Sequence, residues 1–232
     1  MPKLARASIA EFLGTFALVF FGAGSIIMTQ PAIGAGGLVT VALAHGLTLA
    51  VFITGAMYIS GGQFNPAVSL GVLLAGKQDA RTAGTYILVQ LLGAACAAGM
   101  LMALLGSDLA NDESVRLGAT LGRFSGAEHA RPGGVVGLEA IGAFALVFVV
   151  LTTVVDGRSH RLGGFCVGLT VTLCILAFGP LTGASMNPAR SFGPALYGHW
   201  DMHWAYWFGP MLGAAGAAMV YRFVWAEPED ES

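Results

Sequence analysis

The chain runs in long apolar stretches separated by short polar segments. From Phe12 to Gly76 there are 65 consecutive residues without Asp, Glu, Lys or Arg, broken only by His45. At about 20 apolar residues per helical crossing of a bilayer, such runs predict six spans, near 9–29, 38–58, 84–105, 135–155, 162–179 and 204–225. The segment 106–134, with Asp108, Asp112, Glu113, Arg116, Arg123, Glu128 and Arg131, is the one long polar loop, and it leaves three spans on either side. With an odd number of spans per half, the second half enters the membrane from the opposite face.

The halves are related. Ser60-Gly-Gly-Gln-Phe-Asn-Pro-Ala-Val-Ser-Leu-Gly71 aligns without gaps to Thr182-Gly-Ala-Ser-Met-Asn-Pro-Ala-Arg-Ser-Phe-Gly193, with six of twelve residues identical, each copy following the second span of its half. Ala10-Glu-Phe-Leu-Gly-Thr-Phe16 likewise matches Leu138-Glu-Ala-Ile-Gly-Ala-Phe144, so Glu11 and Glu139 are repeat partners. Such an inverted 3+3 repeat sets the two motifs facing each other across the bilayer.

Asn is a strong helix N-cap and Pro suits the first helical position, so Asn65-Pro66-Ala67 and Asn187-Pro188-Ala189 each start a helix. About ten residues follow before Gly76-Lys77 and before Tyr197-Gly198, too few to cross. Each segment therefore enters as a loop and returns as a half-helix, which membrane depth tolerates only inside protein or along a watery cavity. Two half-helix N-termini then meet near the midplane with the positive ends of their dipoles. Each Asn oxygen serves as a cap and its amide is left as a donor toward the cavity. Such a centre favours neutral molecules with lone pairs and opposes cations, a hopping proton included.

Composition narrows the setting. Only 10% of residues are charged and 56% are hydrophobic, with a mean hydropathy of +0.74, too little polarity to cover a water-soluble domain of this size. A net charge of -2 without a Lys/Arg cluster leaves nothing to neutralise a phosphate backbone, which argues against nucleic acid as a partner. Lys3 and Arg6 precede an apolar segment in the manner of a secretory signal, but that segment is long enough to be a retained first span. A cytoplasmic N-terminus puts Lys3, Arg6, Lys77, Arg81, Arg158, Arg161 and Arg222 on one side, seven of the eleven basic residues, so both termini are expected inside. The acidic tail from Glu227 to Ser232 reads as a solvated end. Cys96, Cys166 and Cys174 lie in apolar stretches without C-x-x-C spacing and read as buried thiols, neither a disulfide frame nor a metal site. His199 and His203 have helical spacing for a metal but read as ordinary outer-loop residues, so no metal or other cofactor is expected. Trp200, Trp204, Tyr206, Trp207 and Trp225 near span ends suit interface anchors, and Gly164-x-x-x-Gly168 and Gly209-x-x-x-Gly213 suit close helix contacts.

Arg190 is the sole charged residue between Arg161 and Asp201 and follows the second Asn-Pro-Ala directly, where the first repeat has Val68. An intramembrane Arg is a functional candidate by default. With the paired motifs and this arginine, residues 5 to 225 resemble an aquaporin of the major intrinsic protein family. That resemblance implies an all-α polytopic protein with six tilted helices, two re-entrant half-helices, a pore in each subunit and a homotetramer. The chain then reads as a single channel domain over 1–232: repeat 1 about 5–105, a link at 106–134, repeat 2 about 135–225 and the tail 226–232.

The family also implies roles. Glu11 and Glu139 match its paired glutamates, which accept hydrogen bonds from the re-entrant loops. Arg190 matches the arginine of its outer selectivity filter. By offset from the motifs His45, Ile175 and Ala184 complete that filter. Strict water channels of the family carry an aromatic in place of His45 and a His in place of Ile175. The set here resembles plant tonoplast aquaporins, several of which pass ammonia, urea or hydrogen peroxide. The resemblance thus implies a passive channel, not an enzyme, for water and a small neutral solute, ammonia foremost, in a plasma or inner membrane. Glycerol is the alternative within the family, but its facilitators have Asp and a cation where this chain has Ser191 and Ala195, and the Tyr206-Trp207 pair resembles the water-channel branch. More remote readings are an intramembrane hydrolase using Ser185 with His45 as base, and an ion-coupled transporter using Glu11 or Glu139.

Overall fold

The computed structural model of the chain describes residues 1–31, 33–34, 36–122, 131–156 and 162–226. Arg123, Glu128, Arg158, Arg161 and the tail 227–232 lie outside the described residues. In chain order the helices are α1 (Lys3–Ile27), α2 (Leu38–Ala56), α3 (Pro66–Leu74), α4 (Ala80–Leu105), the single-turn α5 (Ser107–Ala110), α6 (Pro132–Val150), α7 (Gly163–Thr182), α8 (Pro188–Ala195) and α9 (Ala205–Val220). Both α6 and α9 end in a wider turn, over Leu151–Val155 and Tyr221–Trp225. α1, α2, α4, α7 and α6 with its extension are long and apolar enough to cross a membrane. α9 has 16 residues, and its widened turn carries the sixth span on to Trp225.

The expected half-helices are α3, with 9 residues, and α8, with 8. In each, the Asn side chain caps the first turn: Asn65 accepts from the Ala67 N–H, and Asn187 from those of Ala189 and Arg190. Asp79 caps α4 by accepting from the Thr82 backbone and hydroxyl.

The packing obeys the repeat. α1 lies against α4 as α6 lies against α9, and α2 meets α7 at the centre. The half-helices cross over: α3 packs on α9 and α8 on α4, each against the other repeat. Glycines make the close approaches. A Cβ on Gly93 would stand 2.5 Å from the Phe12 carbonyl, and one on the equivalent Gly213 2.8 Å from the Phe144 nitrogen. At the α2–α7 crossing, a Cβ on Gly168 would meet the Ala50 nitrogen at 2.8 Å. Without a hydrophobic force between helices in lipid, such contacts hold the bundle together.

Outside, the surface is apolar. Leu88, Leu92, Cys96, Met100 and Leu104 recur every fourth residue along one exposed face of α4. The expectation of buried thiols therefore holds for Cys174 alone. Cys166 is half-buried and Cys96 exposed, because in a lipid-facing helix an apolar stretch does not distinguish inside from outside. Tyr206 corrects the anchor reading in the other sense: it is fully buried, whereas Trp200, Trp204 and Trp225 are about half exposed. The interior instead holds Glu11, Glu139, Gln90, Asn65, Asn187 and Arg190, all buried.

Candidate functional site

The two loops that precede α3 and α8 take the same path. Gly61, Gly62 and Phe64 have positive φ, as do Gly183, Ala184 and Met186 at the matching positions of the second repeat. For Phe64, Ala184 and Met186 this left-handed backbone costs about 1 kcal/mol or more each. The turn brings successive N–H groups onto one anion. Glu11 Oε1 accepts from Ser60 Oγ at 2.6 Å and the Gln63 N–H at 2.8 Å, while Oε2 accepts from the Phe64 N–H at 2.6 Å. Glu139 Oε1 accepts from Thr182 Oγ1 at 2.7 Å and the Ser185 N–H at 3.0 Å, while Oε2 accepts from the Met186 N–H at 2.6 Å.

The repeats part at one point. Gln90 Nε2 gives Glu11 a fourth hydrogen bond at 2.8 Å and reaches Ser69 Oγ at 3.0 Å. Counted from the paired Tyr86 and Tyr206, the corresponding residue of α9 is Pro210, which has no donor. Tyr86 and Tyr206 themselves donate alike, to the carbonyls of Ser60 and Thr182. Sequence reading found the glutamates but not their second supports, Gln90 and the two tyrosines. The similar spacing of the tyrosines after the motifs, Tyr86 21 residues beyond Asn65 and Tyr206 19 beyond Asn187, was the available signal.

Where the loops meet, the asparagines clasp each other's backbone. Asn65 Nδ2 donates to the Met186 carbonyl at 2.8 Å, and Asn187 Nδ2 to the Phe64 carbonyl at 2.9 Å. This refines the expectation of a free amide. One hydrogen of each amide ties the repeats together, and the other is left for the cavity that both residues line.

That cavity is narrow and two-sided. Asn65, Asn187, Arg190, His45 and Gln63 supply its polar groups, and Leu18, Leu49, Ile53, Leu146, Val150 and Val171 an apolar wall drawn from both repeats. Of the four residues assigned to a filter, His45, Ala184 and Arg190 border it. Ile175 is also buried but lines a second, wider cavity together with Thr29, Thr120 and Thr182. Gly183, next to Ala184 in the chain, also lines the second cavity.

Arg190 is 3% exposed, so it does not snorkel to the interface. Its Nη1 donates to the Gly118 carbonyl at 2.7 Å, and Nη2 lies 3.4 Å from His45 Nε2. His45 Nδ1 stands 2.8 Å from the Val41 carbonyl, which only accepts, so Nδ1 carries the proton and Nε2 turns its lone pair to the guanidinium. The linking loop thus takes part in the site, as its sequence did not reveal. Besides Gly118, Thr120 Oγ1 donates to Ser191 Oγ at 2.7 Å and the Gly122 N–H to the Tyr206 hydroxyl at 2.7 Å.

The other candidates are occupied elsewhere. Ser185 Oγ bonds the Asn187 carbonyl at 2.9 Å and Ser191 Oγ at 2.7 Å, and His45 is engaged with Val41 and Arg190, so no serine–histidine pair forms. His203 Nε2 accepts from Trp207 Nε1 at 3.0 Å, and His199 Nε2 is bonded to Asn111 Oδ1. The two imidazoles are spent on separate partners. Burial holds both below the ordinary histidine pKa, with Arg116 lowering His199 further.

Comparison with known proteins follows the same lines. Residues 1–221 match the family model described as major intrinsic protein. The chain is 42% identical over 224 residues to "Aquaporin TIP4-4" of Zea mays, covering 93% of this chain and 85% of that one. It is 39% identical over 225 residues to "Aquaporin TIP2-1" of Arabidopsis thaliana, covering 93% and 86%. Among solved structures it is similar to the aquaglyceroporin from Plasmodium falciparum, with a TM-score of 0.84 at 27% identity over 95% of this chain and 96% of that one.

Proposed function

The chain belongs to the major intrinsic protein family, and from that premise we propose that it conducts water passively through the cavity between its two repeats. It is an integral membrane protein and a channel, not an enzyme. The observation that carries the mechanism is the reciprocal Asn65–Met186 and Asn187–Phe64 clasp. It fixes two amide donors on one side of a cavity whose other wall is apolar. A water molecule at that point accepts from the asparagines and turns its own hydrogens away along the file. Its neighbours on the two sides are then oppositely oriented, so a proton finds no continuous chain of donors to hop along. The positive ends of α3 and α8 and the Arg190 guanidinium add a barrier to cations.

His45, Ile175, Ala184 and Arg190 form the selectivity filter in this reading. Arg190 is held by Gly118 and offers its remaining hydrogens to solute, His45 offers a polar edge, and Ala184 leaves room. A neutral solute with a lone pair and small cross-section suits that combination, with ammonia foremost and hydrogen peroxide and urea after it. Glycerol suits it less, since Ser191 and Ala195 replace the acid and cation of the glycerol branch. Glu11 and Glu139 hold the loops. The whole chain acts as one channel domain, assembles as a homotetramer, and sits in a plasma or inner membrane with both termini cytoplasmic, an orientation that rests on the distribution of Lys and Arg.

Stopped-flow shrinkage of proteoliposomes, with a pH-sensitive dye inside, tests the reading. Rapid water efflux without a proton leak is the expected result, and water flux no faster than in empty vesicles would sink it.

A further inference from the structure

His45 is not free to choose its place beside the pore, and the residue that places it is on another helix. A Cβ built on Gly22 of α1 would stand 2.5 Å from His45 Nε2, 2.6 Å from Cδ2 and 3.0 Å from Cε1. The imidazole edge therefore rests directly on the bare Cα of Gly22, in space that any other residue would fill. On its remaining sides the ring is fixed by the Val41 carbonyl at Nδ1 and faces Arg190 at Nε2. The open space that the ring borders is the pore cavity, which His45 lines and Gly22 does not.

We propose that Gly22 is a positioning residue for selectivity: by lacking a side chain it lets His45 lie back against α1, and so sets the width of the pore at Arg190. A methyl group at position 22 displaces the ring by about the difference between 2.5 Å and an ordinary carbon–nitrogen contact. Because the Val41 bond is local to α2, the ring end swings away from α1 into the cavity. The site then narrows for every solute, the wider ones most. This proposal rests on the reading of His45 and Arg190 as the filter.

The experiment compares four proteins in proteoliposomes: the natural chain, Gly22→Ala, His45→Ala and the double variant, each assayed for water by stopped flow and for urea by uptake. Gly22→Ala is expected to lower water permeability about tenfold, in line with one methyl group in a close-fitting site. The double variant is expected to regain at least the natural water permeability, because the ring that the methyl group pushes is gone. Thermal melting in detergent accompanies each protein. Natural permeability in Gly22→Ala overturns the proposal, and so does a loss that persists in the double variant, which marks a packing fault between α1 and its neighbours. His45→Ala tests the filter reading separately: an unchanged ratio of urea to water flux in that variant refutes the filter, whatever Gly22→Ala does.

Discussion

Arg190 and His45, 145 residues apart in sequence, face each other with Nη2 at 3.4 Å from Nε2. The guanidinium is a donor only, and the imidazole meets it with a lone pair because its proton is committed to Val41. Arg190→Val removes both that contact and the donor of the Gly118 carbonyl, leaving a buried acceptor at a cost of about 1–3 kcal/mol. The ratio of water to urea flux in proteoliposomes should fall and the melting temperature should drop. An unchanged ratio would show that Arg190 does not face the solute.

The asparagine clasp separates into two functions that one substitution distinguishes. Asp caps a helix as well as Asn does, so Asn187→Asp keeps the start of α8. It replaces the amide donor with a carboxylate facing the Phe64 carbonyl. Water flux should fall and proton leak, read with an internal dye, should rise, since a negative charge now stands where two positive helix ends met. Preserved exclusion of protons would mean that the clasp does not set the barrier.

Glu11 receives four hydrogen bonds where Glu139 has three from equivalent groups, the difference being Gln90. Gln90→Leu should therefore destabilise the first loop by about 2 kcal/mol, near the value of a hydrogen bond to a charged group. Glu11→Gln sets an amide among donors and should cost more. Thermal unfolding in detergent ranks the two, and a reversed ranking would contradict the network.

His203 gives the outer segment a pH dependence. Burial holds its imidazole below the ordinary histidine value, so the unfolded chain binds a proton that the folded one resists. Stability is then flat above about pH 6.5 and falls as the pH drops below it. Protonation also removes the acceptor of the Trp207 N–H, which tryptophan fluorescence should register. In His203→Gln the amide oxygen still accepts that bond, and the slope with pH should shrink.

Mercurials should inhibit weakly, because Cys96, Cys166 and Cys174 are absent from the residues lining the pore cavity and Ala184 occupies the wall. Strong block that survives in a triple Cys→Ser variant would contradict this.

The sequence carried the architecture because the bilayer leaves few choices. Apolar length located the spans, the duplicated motif their inversion, and Asn-Pro the half-helix starts. It carried less where inside and outside are both apolar. Cys96 and Cys166 differ from Cys174 only in which side of a helix they occupy, and Tyr206 looked like an interfacial aromatic although its hydroxyl is bonded within the bundle. The roles of Gly118 and Thr120 were hidden for another reason: a polar loop gives no period from which to tell which of its carbonyls reaches Arg190. Gly22 was one glycine among 34 until the ring of His45 was found lying on it.

The clasp between the asparagines also bears on how the molecule is made. Asn65 finds its acceptor 121 residues later, at Met186, and the Phe64 carbonyl waits for Asn187, 123 residues on. During synthesis the first three spans and α3 emerge with both groups unsatisfied, and α3 lacks the α9 surface on which it packs. The first repeat is thus a half-finished product that the ribosome delivers to the membrane well before its complement. Two separately translated halves, each inserted on its own, should be able to complete one another.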